Sequence, residues 1–208
     1  MDSLTRRDKE GALVFFMILM AYLLISPLAV LFTESRMVQL LAKLLVVGCL
    51  IWWKREWFSF KLKWDSLSVA IGVVIGLLWV GLDSFYPSFS TADISPYSMA
   101  ESILKLIIGL LIAPLVEEFF TRFFLHRYLA SQNWLAVPQG TYTLWPFIIT
   151  TLFFGLSHTE WLAGLITGLL LNWLWYRKKD MNSVVVAHAV ANLILGAMVI
   201  YFGLWHFW

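Results

Sequence analysis

The chain reads ESILKLIIGLLIAPLVEEFFTRFFLHRYLA over residues 101–130, and this stretch decides the fold. Most of it is apolar, yet it contains two adjacent glutamates, Glu117 and Glu118, with Arg122 four residues after the second. An ionised side chain at the centre of a bilayer costs about 3 kcal/mol or more. Two adjacent carboxylates persist there only if they are paired, hydrated or used. The stretch therefore predicts a membrane-spanning helix that carries a functional site.

The composition of the whole chain indicates the same environment. Its 208 residues are 61% hydrophobic and 13% charged, whereas soluble domains carry about 25% charged residues. We therefore expect an all-α, polytopic transmembrane helix bundle that forms a single membrane domain over residues 1–208 and has the lipid bilayer as its surroundings. A net charge of +2 is too small to indicate a nucleic-acid partner. Cys49 is the single cysteine, which excludes an intramolecular disulfide and a cysteine-based metal cluster.

Apolar runs divide the chain into candidate spans, because a helix that crosses a bilayer needs about 20 apolar residues and shorter helices fit inside bundles. We expect seven to eight helices, with N-terminal spans in residues 1–100 and the core spans that carry the motifs in residues 101–204. The seven runs cover residues 12–33, 37–53, 67–82, 101–129, 144–158, 160–176 and 183–204.

The distribution of lysine and arginine predicts the orientation. If the N terminus lies in the cytoplasm, twelve of the 15 lysines and arginines, Arg122 among them, fall in inner segments. Arg36 alone falls in an outer segment, while Lys43 and Lys105 lie within spans and are expected to snorkel. This bias follows the positive-inside rule. Residues 54–66 alternate basic and aromatic side chains and predict a segment at the headgroups.

Helix geometry predicts different roles for the two adjacent glutamates. Positions four apart share a face, so Glu118 and Arg122 are expected to form an ion pair. Glu117 points about 100° away and has no obvious local partner. We therefore expect Glu118 to belong to the scaffold and Glu117 to handle protons. The alternative is a purely structural charge cluster.

Two later segments place polar groups on apolar helices. Phe154 and His158 lie one turn apart, so the ring can orient the imidazole; the alternative is a structural histidine. His188 and Asn192 also lie one turn apart, and two N–H donors aimed together would stabilise an oxyanion. The alternative for this pair is hydrogen bonding between helices.

The remaining polar singletons give weaker expectations. His126 is expected to face the cytoplasmic interface, and Asn172 to bond a neighbouring helix. Glu160 is a weak candidate for a supporting role beside His158. One geometric difficulty is that His158 lies about 20 Å along its span. It meets Glu117 only if the fifth span begins inside the bundle or the fourth is long and tilted.

The three motifs in order, Glu-Glu-x-x-x-Arg, Phe-x-x-x-His and His-x-x-x-Asn, resemble those of the CAAX protease and bacteriocin-processing family of intramembrane proteases, which includes the type II CAAX prenyl endopeptidases. The resemblance covers roughly residues 100–204. The last fifty residues also resemble the CAAX-protease-related proteins that accompany exosortase systems in Gram-negative bacteria.

The resemblance implies a function and a set of roles. It implies an endopeptidase in the bacterial inner membrane that acts on a membrane protein or peptide, with protein-sorting components as possible partners. Glu117 would activate water with the help of His158, and His188 with Asn192 would bind the oxyanion. Three other residues would orient the site: Glu118, Arg122 and Phe154.

The resemblance leaves the metal question open, and two other functions compete with proteolysis. Glu117, His158 and His188 form a set that fits Zn²⁺, but we expect a mechanism that requires no cofactor. The first rival function is a non-catalytic membrane accessory or bacteriocin-immunity protein. The second is a small proton-coupled transporter, against which the chain shows no internal repeat.

Overall fold

The chain folds as a bundle of helices. The computed structural model describes residues 5–59, 61–89 and 95–208. Within these ranges there are seven helices and no strand, which confirms the predicted all-α fold. The helices are α1 (Arg6–Val30), α2 (Arg36–Trp53), α3 (Ser66–Gly81), α4 (Met99–Ala130), α5 (Leu144–Leu156), α6 (Trp161–Lys178) and α7 (Met181–Phe202).

Each of the seven predicted apolar runs folds as one of these helices. Four of them, α1, α2, α4 and α7, are long and apolar enough to cross a membrane. The helices α3 and α5 are apolar but shorter. The helix α6 has 18 residues and ends on the basic pair Arg177 and Lys178. The bundle therefore combines full-length spans with shorter helices that reach only part of the way.

The helix α4 is the longest, with 32 residues, and it is not a regular α-helix. Two stretches, Ile108–Ile112 and Phe119–His126, are π-helical. Pro114 lies between them and donates no backbone hydrogen bond. Such π-helical bulges redirect side chains and free backbone carbonyls, and they occur often at functional sites. Glu117 and Glu118 lie between the two bulges.

Small residues bring α3 and α7 close together. A Cβ atom on Gly72 would lie 2.4 Å from the carbonyl oxygen of Ala187, and one on Gly76 would lie 2.9 Å from that of Ala191. Any larger residue at either position would push the helices apart. This small-residue packing is the usual way in which helices associate in lipid.

The connection between α4 and α5 folds under the bundle. Trp134 is fully buried in it, and its indole N–H donates to the Asp8 carbonyl oxygen at 3.0 Å. The Asp8 carboxylate accepts from the Leu135 amide at 3.1 Å. This connection is anchored to the start of α1, and α5 has only 13 residues, too few to cross a bilayer. A long α4 and a short α5 together remove the geometric difficulty at His158.

Segments that the lysine and arginine positions place on the same side of the membrane lie against each other. The Asn182 side chain bonds both the amide and the carbonyl of Lys63 at 2.7 Å, and Lys178 pairs with Asp65 at 3.1 Å. At the opposite end, Arg36 donates to the Ser95 side chain at 2.7 Å. Phe60 of the predicted headgroup segment lies outside the described residues.

Candidate active site

A buried ion pair lies at the centre of the bundle. Arg122 Nη1 lies 2.9 Å from one carboxylate oxygen of Glu118 and 3.1 Å from the other. Both side chains are fully buried. The predicted ion pair is therefore present. Arg122, which the lysine and arginine count assigned to an inner segment, points its guanidinium into the bundle.

Two further elements hold the Arg122 guanidinium. Its Nε donates to the Asn172 carbonyl oxygen at 3.1 Å, and its Nη2 donates to the backbone carbonyl of Gly168 at 3.3 Å. Its charged face lies 4.6 Å from the centre of the Phe154 ring. Arg122 therefore ties α4 to α5 and α6 through the edges and face of its planar head.

Asn172 is itself held by α5. Its amide nitrogen donates to the hydroxyls of Thr150, at 3.1 Å, and Thr151, at 2.9 Å. The expectation that Asn172 bonds a neighbouring helix is confirmed. Its role as a partner of Arg122 could not be predicted from local spacing, since the two residues lie 50 positions apart.

His188 connects this charge cluster to the cavity. Its Nδ1 lies 2.8 Å from the Glu118 carboxylate. Because that carboxylate is paired with Arg122 and accepts hydrogen bonds only, Nδ1 carries the proton. The other ring nitrogen, Nε2, lies 4.0 Å from the Glu117 carboxylate. Glu118 thus fixes the direction in which His188 presents Nε2.

His158 is oriented in the same way by a different acceptor. Its Nδ1 lies 2.6 Å from the backbone carbonyl of Phe154, so this nitrogen also carries a proton. Its Nε2 lies 3.7 Å from the Glu117 carboxylate. The rings of Phe154 and Trp79 flank the imidazole, with centroids 4.8 and 5.4 Å away. Phe154 therefore orients His158 with both its carbonyl and its ring.

Glu117 faces a cavity of about 220 Å³ in the bundle. Its side chain is 18% exposed, whereas that of Glu118 is completely enclosed. The cavity wall also includes His158, His188 and Asn192. The structure therefore brings the four predicted site residues to one cavity from α4, the end of α5 and α7.

Asn192 reaches the cavity from α7, one turn beyond His188. Its amide nitrogen donates to the carbonyl of Gly109 at 2.8 Å, in the first π-helical stretch of α4. A carboxamide nitrogen has two hydrogens, so the second is available to a ligand. The π-helical stretch thus sets the position of Asn192.

Two residues of the N-terminal half that the sequence did not single out for the site lie near Glu117. Tyr22 from α1 lines the same cavity as Glu117, and both its hydroxyl and the Lys43 ammonium from α2 interact electrostatically with the Glu117 carboxylate. The Lys43 ammonium also lies 4.0 Å from the centre of the Tyr22 ring. No sequence motif identifies these two residues, because the residue spacing within α4 does not predict which other helices pack against it.

The remaining polar residues that the sequence analysis considered have partners elsewhere in the bundle. The expectation that His126 faces the interface is wrong: the residue is fully buried, and its Nε2 lies 2.7 Å from the Tyr176 hydroxyl. Lys105 donates to the carbonyl oxygen of Trp208 at 3.1 Å and lines the cavity. Glu160 accepts from the Tyr86 hydroxyl at 3.3 Å.

The donor set Glu117, His158 and His188 has some features of a zinc site and lacks others. Each histidine has its Nδ1–H tied to an acceptor, as metal-binding histidines do. Ligands of a tetrahedral zinc ion lie about 3.4 Å apart, whereas the distances from Glu117 to the two Nε2 atoms are 3.7 and 4.0 Å. Across the described part of the chain, no three His, Cys, Asp or Glu side chains are positioned to hold a metal ion. The set as placed does not fit zinc.

Comparison with known proteins gives a family for the part of the chain that carries this cavity. Residues 99–194 match the family described as Type II CAAX prenyl endopeptidase Rce1-like. The curated proteins and the solved structures contain no match to the chain. The matched residues include α4, α5, α6 and most of α7, and hence both glutamates, both histidines and Asn192. This part of the chain is therefore similar to the Rce1-like type II CAAX prenyl endopeptidases.

Proposed function

We propose that the protein is an intramembrane endopeptidase that hydrolyses a peptide bond with water activated by Glu117. The observation that carries the proposal is the convergence of one partly exposed carboxylate and two imidazole Nε2 atoms in a cavity among apolar helices. General-base catalysis requires a carboxylate that water can reach. Glu117 meets this requirement and Glu118 does not.

The fixed orientation of His158 provides a place for the water. With its proton on Nδ1, neutral His158 presents a lone pair at Nε2, 3.7 Å from the Glu117 carboxylate. A water molecule between them donates one hydrogen to each acceptor and turns its oxygen lone pair towards the cavity. Glu117 then takes a proton as the water oxygen attacks the carbonyl carbon of the substrate.

The tetrahedral oxyanion that results needs hydrogen-bond donors. Asn192 supplies its second amide hydrogen. His188 has committed Nδ1–H to Glu118, so it donates from Nε2 only as the imidazolium, whose charge offsets that of the oxyanion. Each such donor is worth roughly 3 kcal/mol in the transition state. Glu117 finally returns its proton to the leaving nitrogen as the C–N bond breaks.

We infer the remaining properties from the family and the charge distribution. The substrate is a sorted or lipidated membrane protein or peptide, no cofactor takes part in the proton transfers, and the N terminus lies on the cytoplasmic side of a bacterial inner membrane. Association with an exosortase-type sorting system follows from the resemblance of the last fifty residues.

The test compares new peptide N termini in membranes that contain the wild-type protein, Glu117→Gln, Arg122→Ala or the control Glu101→Gln. Glu101 lies on the same helix and caps its start. We expect cleavage products with the wild type and the control, and a rate lowered by roughly 10²–10⁴-fold with Glu117→Gln. Cleavage by Glu117→Gln at the wild-type rate would overturn the proposal. A chelator that stops cleavage, with restoration by zinc, would overturn the metal-free mechanism. Proton-coupled flux without cleavage would favour the transporter.

A further inference from the structure

A second pocket, of about 510 Å³, lies at the end of the bundle where α6 ends and α7 begins. Its volume is in the range of pockets that bind small molecules. Three parts of the chain form its wall: the segment before α3, the connection between α4 and α5, and the turn between α6 and α7. Because α7 is long enough to cross a membrane, a pocket at its first residues lies at a membrane surface.

The wall of this pocket carries more positive charge than its carboxylates neutralise. The lysines that line it are Lys61, Lys63, Lys178 and Lys179. Lys178 pairs with Asp65 at 3.1 Å. The other acid of the wall, Asp180, caps α7 and accepts from the amide of Ser183 at 2.8 Å. In the part of the chain that the structure describes, no carboxylate forms an ion pair with the other three ammonium groups.

Lys179 has a backbone conformation that favours glycine. Its φ of 57° and ψ of 32° lie in the left-handed region, and among the described residues it is the one non-glycine with a positive φ. Helices that end in this conformation usually have glycine there, because a Cβ atom is crowded. Gly140 packs closely on this residue, since a Cβ atom on Gly140 would lie 2.9 Å from the Cα of Lys179. The backbone therefore favours glycine, and what lysine adds at this position is a charge in the pocket wall.

Lys63 is held at the pocket through its backbone. The Asn182 side chain accepts a hydrogen bond from the Lys63 amide and donates one to its carbonyl oxygen, each at 2.7 Å. These two bonds tie the segment before α3 to the first turn of α7. The Lys63 side chain stays exposed, so its ammonium group is available to a ligand in the pocket.

Apolar side chains beside the lysines indicate the kind of anion that the pocket binds. Leu62 and Trp64 alternate with Lys61 and Lys63 along the chain and are 63% and 68% exposed. Tryptophan favours the headgroup layer, where one end of its ring system is apolar and the other is hydrated. A free phosphate ion would leave both apolar side chains in water. A phospholipid presents a phosphodiester and acyl chains together, so it fits both parts of this surface.

We propose that this pocket binds the headgroup of an anionic phospholipid, with the phosphodiester at Lys63 and Lys179 and the acyl chains against Leu62 and Trp64. Basic pockets between membrane helices bind acidic lipid headgroups. The bound lipid joins the segment before α3 to the turn between α6 and α7 and thereby stabilises the bundle. The proposal does not depend on peptide cleavage, because none of these four residues lines the cavity that contains Glu117.

The experiment measures thermal unfolding of the purified full chain in a neutral detergent with increasing amounts of phosphatidylglycerol. Phosphatidylcholine, whose headgroup has no net charge, and inorganic phosphate are the comparison ligands. The variants are Lys63→Gln, Lys179→Gly and the two combined. The charge-matched control, Lys9→Gln/Arg55→Gln, removes two basic side chains outside the pocket wall. Without lipid, Lys179→Gly should unfold at the wild-type temperature or above it, since glycine adopts a positive φ freely.

We expect phosphatidylglycerol to raise the unfolding temperature of the wild type and the control, and the two comparison ligands to leave it unchanged. Each lysine removed should raise the amount of phosphatidylglycerol needed for half of the effect by about fivefold. An equal response of the double variant and the wild type, or an equal loss in the control, would overturn the proposal. Stabilisation by phosphatidylcholine to the same extent, or by inorganic phosphate in place of the lipid, would also overturn it.

Discussion

Glu117 and Glu118 are neighbours in the chain but lie in two regions that differ in almost every physical respect. Glu118 belongs to a closed cluster in which Arg122 and His188 hold its carboxylate without any contact with solvent. Glu117 faces a cavity, and neither of its histidine neighbours is closer than 3.7 Å. A turn of about 100° between adjacent residues separates the two regions.

This difference shows how one pair of identical residues divides structural and chemical tasks. A carboxylate with a fixed guanidinium and a fixed imidazole has no capacity left to accept a proton from water. A carboxylate that faces a cavity keeps the capacity to accept that proton. The environment, rather than the residue type, therefore assigns the roles, as in other enzymes that use two carboxylates.

The strongest test of the comparison is the pair Glu117→Gln and Glu118→Gln. We expect Glu117→Gln to lower the rate of peptide cleavage by roughly 10²–10⁴-fold, the range for loss of a general base, with a melting temperature close to the wild-type value. Glu118→Gln should lower the melting temperature clearly, because Arg122 loses its counter-charge. Activity and thermal unfolding are measured on the same preparations. If Glu117→Gln were active and unstable, the two regions would have to exchange roles.

The second test removes the positive charge of the closed cluster, Arg122. Arg122→Met leaves the Glu118 carboxylate buried beside His188 alone, and removal of one partner from a buried pair costs about 3–5 kcal/mol. The double variant Glu118→Gln/Arg122→Met should recover part of this loss, since no unpaired charge remains. Thermal unfolding of the two single variants and the double variant forms a complete cycle. Additive losses in the double variant would show that the ion pair contributes no coupling.

The sequence predicted those parts of the site that depend on helix geometry alone. The ion pair of Glu118 with Arg122 follows from the i, i+4 rule, and the seven helices follow from apolar run lengths. The convergence of three helices could be expected only through the family resemblance. No single-helix pattern says how the end of the short helix α5 meets α4.

The contacts that sequence reasoning missed all join residues far apart in the chain. Asn172 supports Arg122 from 50 residues away, and Tyr22 reaches Glu117 from a helix outside the matched region. His126 was placed at the interface by counting one turn beyond Arg122. The π-helical stretch Phe119–His126 changes the angular spacing along α4, and the imidazole packs inward against Trp175.

The third test concerns the support of the closed cluster. Asn172→Ala leaves Arg122 Nε without its acceptor, and an unsatisfied buried polar group costs about 1–3 kcal/mol. We expect a corresponding fall in thermal stability. The control Asn182→Ala removes an amide that makes two hydrogen bonds at the exposed end of the bundle. Because water replaces those bonds, the control should lose less. Equal losses would mean that enclosure does not distinguish the two amides.

The fourth test asks whether Tyr22, in the N-terminal half, supports Glu117 at the cavity. Tyr22→Phe removes the hydroxyl that interacts with Glu117 and keeps the ring under Lys43. A net hydrogen bond of about 1 kcal/mol corresponds to a change of roughly two- to tenfold. We expect that loss in kcat, with KM and the melting temperature near wild type. Tyr201→Phe, at an exposed tyrosine near the end of α7, is the matched control. If Tyr22→Phe matched this control in kcat, Glu117 would not depend on the N-terminal half.

The smallest effect is expected for the ion pair of Asp65 with Lys178, which is only partly buried, whereas that of Glu118 with Arg122 is enclosed. Partial burial acts to raise the pKa of Asp65, but hydrogen bonds from Ser68 and Lys178 outweigh it and hold the pKa below its usual value of 3.8. Its contribution to stability is therefore complete above that pH and is lost as the pH falls below it. Asp65→Asn keeps a capping side chain and removes the charge, so it should cost less than about 1 kcal/mol at about pH 6 and a smaller amount near about pH 3. Unfolding of both proteins at the two pH values measures the difference. A loss as large as that of Arg122→Met would mean that burial does not set the strength of ion pairs in this bundle.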